Sequence, residues 1–242
     1  MASHVQVRMA TECFRNVADR EYISSRMSFR LGLVEPHLWS AIKALEKYLR
    51  AILIYNGRHK RTLSHNLVHV LREVEAIKEI GFRVGDRQRE FTARLSSFCD
   101  GRGVTRRDYK LASSPLELDY TVWSVRRYCM YLRGFQMTRE GKQIDLLDVN
   151  LKNILSEYYL EHPFEFKIDG GFLEQVLDKS KSDQLRKSLV WKNQYYGCDG
   201  ERGLKRFFSR SQHRSAPVST GRQRRPPPPG RRNPGLAGPK EG

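Results

Sequence analysis

Leu38, Ile42, Leu45, Leu49 and Ile52 are separated by four, three, four and three residues. That spacing holds all five on one face of an α-helix and would divide them between the two faces of a strand. Pro36 suits the first turn of such a helix, and Asn56-Gly57 suits its end. Much of the chain repeats this pattern. Over 11–31, Cys13 pairs with Val17 and Phe14 with Ala18 and Tyr22 at four-residue steps, before Ile23, Met27, Leu31 and a stop at Gly32. Leu67, Val70, Leu71, Val74 and Ile77 lead to Gly81, with Thr62 or Ser64 placed to cap that helix. Asp86 is placed to cap a further helix carrying Phe91, Leu95 and Phe98, and Leu118, Val122, Val125, Cys129 and Leu132 step by 4, 3, 4, 3 to Gly134.

The spacing predicts an all-α fold: an up-and-down antiparallel bundle of four to five helices over 10–134, with a helical extension over 135–202. In the extension, a helix is expected across 143–161, carrying Ile144, Leu147, Leu151, Ile154, Leu155 and Tyr158, with shorter ones at 172–180 and 183–195. The best strand candidate is Phe164–Ile168. Periodicity leaves open whether the extension packs on the bundle or forms its own lobe.

Charge is the second constraint. The 242 residues carry 44 Lys and Arg against 27 Asp and Glu, a formal net charge of +17. Residues 201–242 hold 11 of those basic residues against two acids, together with seven of the ten prolines. Such a segment has too little apolar surface to offset its ordering entropy, so 203–242 is expected to be a disordered Pro- and Arg-rich tail. The excess favours a polyanionic partner such as nucleic acid. The tail could bind it without sequence preference, offer a proline-rich ligand to a protein domain, or serve only solubility. No apolar run is long enough for a bilayer, so no membrane association is expected. The opening MASHVQVRMATECFR lacks the apolar core of a secretory leader. Cys13, Cys99, Cys129 and Cys198 are scattered without a CxxC pair, the expectation for reduced thiols in a cytoplasmic protein.

Ala18-Asp19-Arg20-Glu21-Tyr22-Ile23-Ser24-Ser25-Arg26 resembles the opening helix of HEPN (higher eukaryote and prokaryote nucleotide-binding) domains. Ala44-Leu45-Glu46-Lys47-Tyr48-Leu49-Arg50-Ala51 is similar to that family's Glu-Lys-Tyr-Leu-Lys-Ala element, and Ser64-His65-Asn66-Leu67 to its His-Asp-Leu element. Their order matches too, with an Asn-Gly break and the basic stretch Arg58-His59-Lys60-Arg61 between the last two. The resemblance covers about 14–80, and 117–133 by position alone. It implies a helical bundle that commonly pairs as a homodimer. The family includes ribonuclease toxins and adaptors of nucleotidyltransferases, so a protein of the latter type is one implied partner.

The candidate binding residues are Arg58, Lys60, Arg61, His65, Asn66, Glu46, Arg126 and Arg127. Arg58, Lys60 and Arg61 precede His65 and Asn66 in the first turn of a helix, where free backbone N–H groups attract phosphates or are met by a cap. Glu46 lies about 80° from the centre of its apolar stripe, either as an acid in a cleft or as a border carboxylate satisfied by a nearby arginine. Arg126, Arg127 and Arg133 alternate with Tyr120, Trp123, Tyr128 and Tyr131. That mixture suits single-stranded nucleic acid, and equally a core with a dimer face. His65, His69 and Glu73 share a helix face, but Asn66 stands where a zinc protease needs its glutamate; no metal and no cofactor are expected. If the chain were a ribonuclease of the family it resembles, Arg58 and His65 would be its catalytic candidates. The family's own Arg–His pair lies on the last bundle helix, where this chain has no histidine. The expected role is a non-catalytic nucleotide- or nucleic-acid-binding module. A metal-independent ribonuclease or toxin–antitoxin component, or a nucleotidyltransferase adaptor, is the alternative.

Overall fold

The computed structural model describes residues 2–58, 66–99 and 113–197. Lys60, Arg61, Thr62, Ser64, His65 and the 203–242 tail lie outside the described residues.

The chain opens as one helical rod: α1 (His4–Met9), a π-helical turn over Ala10–Arg15, then α2 (Asn16–Arg30). It starts at His4 rather than near residue 11 because Ser3 and Gln6 form a capping box. The Gln6 backbone N–H donates to Ser3 Oγ (3.2 Å) and the Ser3 N–H to Gln6 Oε1 (2.8 Å). After a turn at Gly32, α3 (Val34–Tyr55) runs back along the rod. Thr11 meets Tyr55, Asp19 meets Tyr48 and Ser25 meets His37. One member of each pair rises in number as the other falls, which is an antiparallel hairpin. Helix α3 ends on Gly57 with φ +68°; the Gly57 N–H donates to the Ile54 carbonyl and the Arg58 N–H to that of Leu53. These are the two bonds of a Schellman cap, which needs the left-handed backbone that glycine adopts without strain.

Asn66 caps α4 (Leu67–Glu75), its side chain accepting from the His69 N–H at 3.1 Å. Helix α5 (Asp86–Cys99) follows, and Ser114 caps α6 (Pro115–Arg126), with proline in the first turn. Helix α6 stops at Arg126 instead of reaching residue 132. Tight turn bonds from Tyr128 N–H to Val125 O and Cys129 N–H to Arg126 O replace the ladder. Cys129 and Leu132 are still buried, so the apolar spacing is satisfied without helix.

The helix expected across 143–161 is divided. Phe135–Met137 (β1) pairs antiparallel with Gln143–Asp145 (β2), Phe135 opposite Asp145. Asp145 then caps α7 (Leu146–Ile154), its side chain accepting from the Leu147 N–H at 2.8 Å, and a break separates α8 (Glu157–Glu161). The strand expected at Phe164–Ile168 does not form. Pro163 opens a 3₁₀ turn over Pro163–Glu165, and Phe166 and Ile168 are buried in the core without a strand partner. Helices α9 (Phe172–Leu177) and α10 (Gln184–Val190) are shorter than the expected spans.

The described residues therefore form an all-α bundle with one small hairpin. Leu173, Val176 and Leu189 are buried in the same apolar cluster as Leu45, Ile52 and Val122, so this part of the extension shares the bundle's core. Among the described residues, no helix is long and apolar enough to cross a membrane.

His37 lies inside this hairpin, fully buried, with Nδ1 2.8 Å from Ser25 Oγ and 3.1 Å from the Ser25 carbonyl. Burial lowers its pKa from the ordinary 6.5; the Ser25 carbonyl opposes this and Arg26 adds to it. The unfolded chain thus takes up a proton that the folded one resists. The stability linked to the neutral ring is complete above about pH 6.5 and is lost as pH falls through the lowered folded value. Moving from pH 7.5 to 5 should lower the melting temperature, with His37 contributing to the loss. His37→Asn, which keeps a donor at the Nδ1 position, should flatten that dependence; an unaltered slope would count against His37 as its source.

Candidate functional site

The interior holds a network of charges that ties α2 to everything behind it. Asp19 is fully buried and accepts from Arg126 Nε (2.8 Å) and Nη2 (2.9 Å), from the Tyr48 hydroxyl (2.7 Å) and from the Leu173 N–H (3.2 Å). Arg126 also donates to both Glu174 oxygens, at 2.8 and 2.6 Å. Burial works against the Arg126 charge, but Asp19 and Glu174 outweigh it and raise its pKa well above the ordinary value. Burial works against the Glu174 charge as well, and Arg126 outweighs it, holding the carboxyl below its usual range.

A second pair lies beside the first. Arg26 Nη1 pairs with Asp119, its Nη2 donates to the Trp191 carbonyl and its Nε to that of Ser188. The Tyr22 hydroxyl donates to Asp119 (2.6 Å) and accepts from Asn193 Nδ2 (2.9 Å). Burial pushes both Tyr22 and Tyr48 well above the ordinary tyrosine value, so each remains a donor to its carboxylate. Gly171 is required beside this network: a Cβ there would sit 2.0 Å from Glu174 Oε2 and 2.7 Å from Arg126 Nη2.

These contacts place two of the candidate binding residues. Arg126 is interior, and a phosphate could reach it only by displacing Asp19 and Glu174. Arg127 is buried as well, its guanidinium 3.9 Å above the Trp123 ring and donating to the Ile154 carbonyl. Trp123 and Tyr120 are occupied against Tyr195, at 5.6 and 5.7 Å between ring centres. Glu46 pairs with Arg50 one turn on (2.5 Å), both largely buried, at the edge of a depression walled by Lys43 and Lys47. Arg58 is exposed at the end of α3 and reaches Glu79 at 3.4 Å.

Asn66 lines a second pocket, which runs between α4 and α5. Its volume is about 410 Å³, and its walls include His69, Arg72, Ser96 and Ser97. On α4, Leu67, Val70, Leu71 and Val74 face the core, which leaves His69 and Arg72 on the outer side. On α5, Gln88, Thr92 and Ser96 recur every four residues as a buried polar stripe. Gln88 donates to Ser124 Oγ (3.2 Å) and Thr92 to the Gln88 carbonyl (2.8 Å), whereas Ser96 Oγ is buried without a hydrogen-bond partner. Buried hydroxyls are normally satisfied, so an orphan beside a pocket marks a place for a ligand atom or water. His69 stands 3.6 Å from Glu73, and Arg72 has no acidic partner among the described residues. Among the described residues, the pocket thus combines a helix N-terminal region, a cation without an acidic partner and a buried, unpartnered hydroxyl in its wall.

Arg72 and Ser96 escape the sequence reading. The four-residue polar repeat on α5 is visible in the sequence, but Ser96 differs from Gln88 and Thr92 only by what it fails to bond. Among the described residues, no three His, Cys, Asp or Glu side chains gather as a metal would require. No family model matches the chain, and no curated protein or solved structure is significantly similar to it.

Proposed function

We propose that the chain is an HEPN-like, non-catalytic binding or regulatory module for nucleotides or nucleic acid. The observation that carries this reading is the α4–α5 pocket, with Arg72, His69 and Ser96, whose buried hydroxyl has no partner, in its wall. A phosphate there would accept from Arg72 and Ser96, in the region where the α4 N-terminus favours negative charge. The overall excess of +17 would hold the rest of a nucleic-acid strand close by.

Labelled single-stranded RNA titrated into the full chain should bind with steep salt dependence. If about five phosphates are neutralised, the log–log slope is about −3 to −4. Arg72→Glu should weaken binding about tenfold and make the slope shallower. Wild-type affinity in this exposed-surface variant would overturn the assignment of the pocket. The bound RNA should remain uncleaved over the titration.

We also propose a homodimer. The aromatic side of α6 is taken up inside the protomer, so it is not available as the dimer face. Exposed apolar residues instead flank the α2–α3 turn: Met27, Leu31, Leu33 and Trp39. Light scattering of the eluting protein should give twice the chain mass, and Trp39→Glu should halve it. A wild-type monomer at tens of micromolar, roughly where an interface of standard size holds together, would remove this part of the proposal.

A further inference from the structure

Arg15, at the end of the π-helical turn, is an arginine held in the interior with no acid paired to it among the described residues. It is 4% exposed. Its Nε donates to Asn16 Oδ1 (3.2 Å) and its Nη2 to the Gly170 carbonyl (3.1 Å), both neutral acceptors. Among the described residues, Nη1 has no hydrogen-bond partner and no carboxylate comes within ion-pair distance of the guanidinium. Of the other buried arginines, Arg26, Arg50 and Arg126 each have a carboxylate in contact, and Arg127, which has none, is covered by the Trp123 ring at 3.9 Å. A buried cation is costly unless an anion meets it.

A cavity of about 330 Å³ adjoins Arg15. One wall is the i, i+4, i+8 row Val7, Thr11 and Arg15; Met130 and Ile168 add apolar surface, and Lys167 and Asp169 sit at the exposed rim. Thr11 and Tyr55 are bonded to each other at 2.7 Å, so they complete the wall and leave Arg15 as its cation. The row includes a π-helical turn, a rare geometry that concentrates at functional sites.

We propose that this cavity binds a small organic carboxylate, with its anionic end on Arg15 and its apolar body against Val7 and Met130. Lys167 assists from the rim. Asp169 at the same rim lowers the site's net charge to about one positive unit, which suits a singly charged carboxylate better than a doubly charged phosphate. The volume is at the small end for ligand sites, which fits a compact molecule. This site is separate from the α4–α5 pocket and does not depend on the function proposed for it.

The test is calorimetric titration of the full-length protein with sodium benzoate, alongside sodium phosphate and sodium chloride at matched ionic strength. Benzoate should give a saturable single-site heat that chloride does not. Arg15→Gln should weaken it about tenfold and Lys167→Glu about fivefold. Because Arg15 is buried, Lys167→Glu is the decisive variant: its side chain is exposed and its replacement leaves the core untouched. Absence of saturable benzoate heat, or wild-type affinity in Lys167→Glu, overturns the site. Tighter binding of phosphate than benzoate overturns its assignment to carboxylates.

Discussion

Arg126→Leu is expected to cost about 3–5 kcal/mol of folding stability, because it leaves two buried carboxylates facing each other without a cation. Asp19 would retain the Tyr48 hydroxyl and the Leu173 N–H, and Glu174 would retain the Ile168 N–H at 3.0 Å. None of these supplies a positive charge. The melting temperature should fall by roughly 10 °C or more for a chain of this size, as followed by circular dichroism. Adding Asp19→Asn and Glu174→Gln to the same chain should recover most of the loss, since the penalty comes from unpaired charge more than from lost attraction. A single variant within about 1 kcal/mol of wild type would mean that the triad does not hold the core together.

Asp119→Ala should be comparably severe, with a different signature. It strands the buried Arg26 cation among the carbonyls of Ser188 and Trp191 and removes the acceptor of the Tyr22 hydroxyl. Tyr22 in turn holds Asn193, whose side-chain oxygen accepts from the Tyr195 and Tyr196 amides at 3.0 and 3.2 Å. The loss should therefore concentrate in 188–196. Hydrogen exchange at the Tyr195 and Tyr196 amides should accelerate more than that of α3, whose ladder does not depend on Asp119. Equal acceleration everywhere would show that the segment is not separately anchored by this pair.

The α3 helix is readable from its 4-3 spacing because one face of it meets the core along its whole length. The same reading finds the buried positions of α6 and beyond: Leu118, Val122, Val125, Cys129 and Leu132 are all interior. It cannot find the end of α6, since a tight turn also buries Cys129 and Leu132. The β1–β2 hairpin is exposed on both faces, so it leaves no alternation to detect. Arg126 is harder still. Nothing local distinguishes a buried arginine from a surface one, and its partners Asp19 and Glu174 are 107 and 48 residues away. Glu46 is the opposite case, because its partner Arg50 lies one helical turn on and its position at the edge of the stripe is visible in the sequence. The pocket at Ser96 depends on a missing bond, and no residue pattern encodes one.

The distance along the chain between α2 and its partners has a consequence during synthesis. Arg26 and Tyr22 wait for acceptors and donors that lie 162 and 171 residues downstream. Until the ribosome has released residue 193, the first hairpin carries charged groups on a face meant for the interior and cannot close over them. Early helices can form locally, but the order of translation delays their final docking until late in the chain. The nascent protein therefore spends most of its synthesis with this face open.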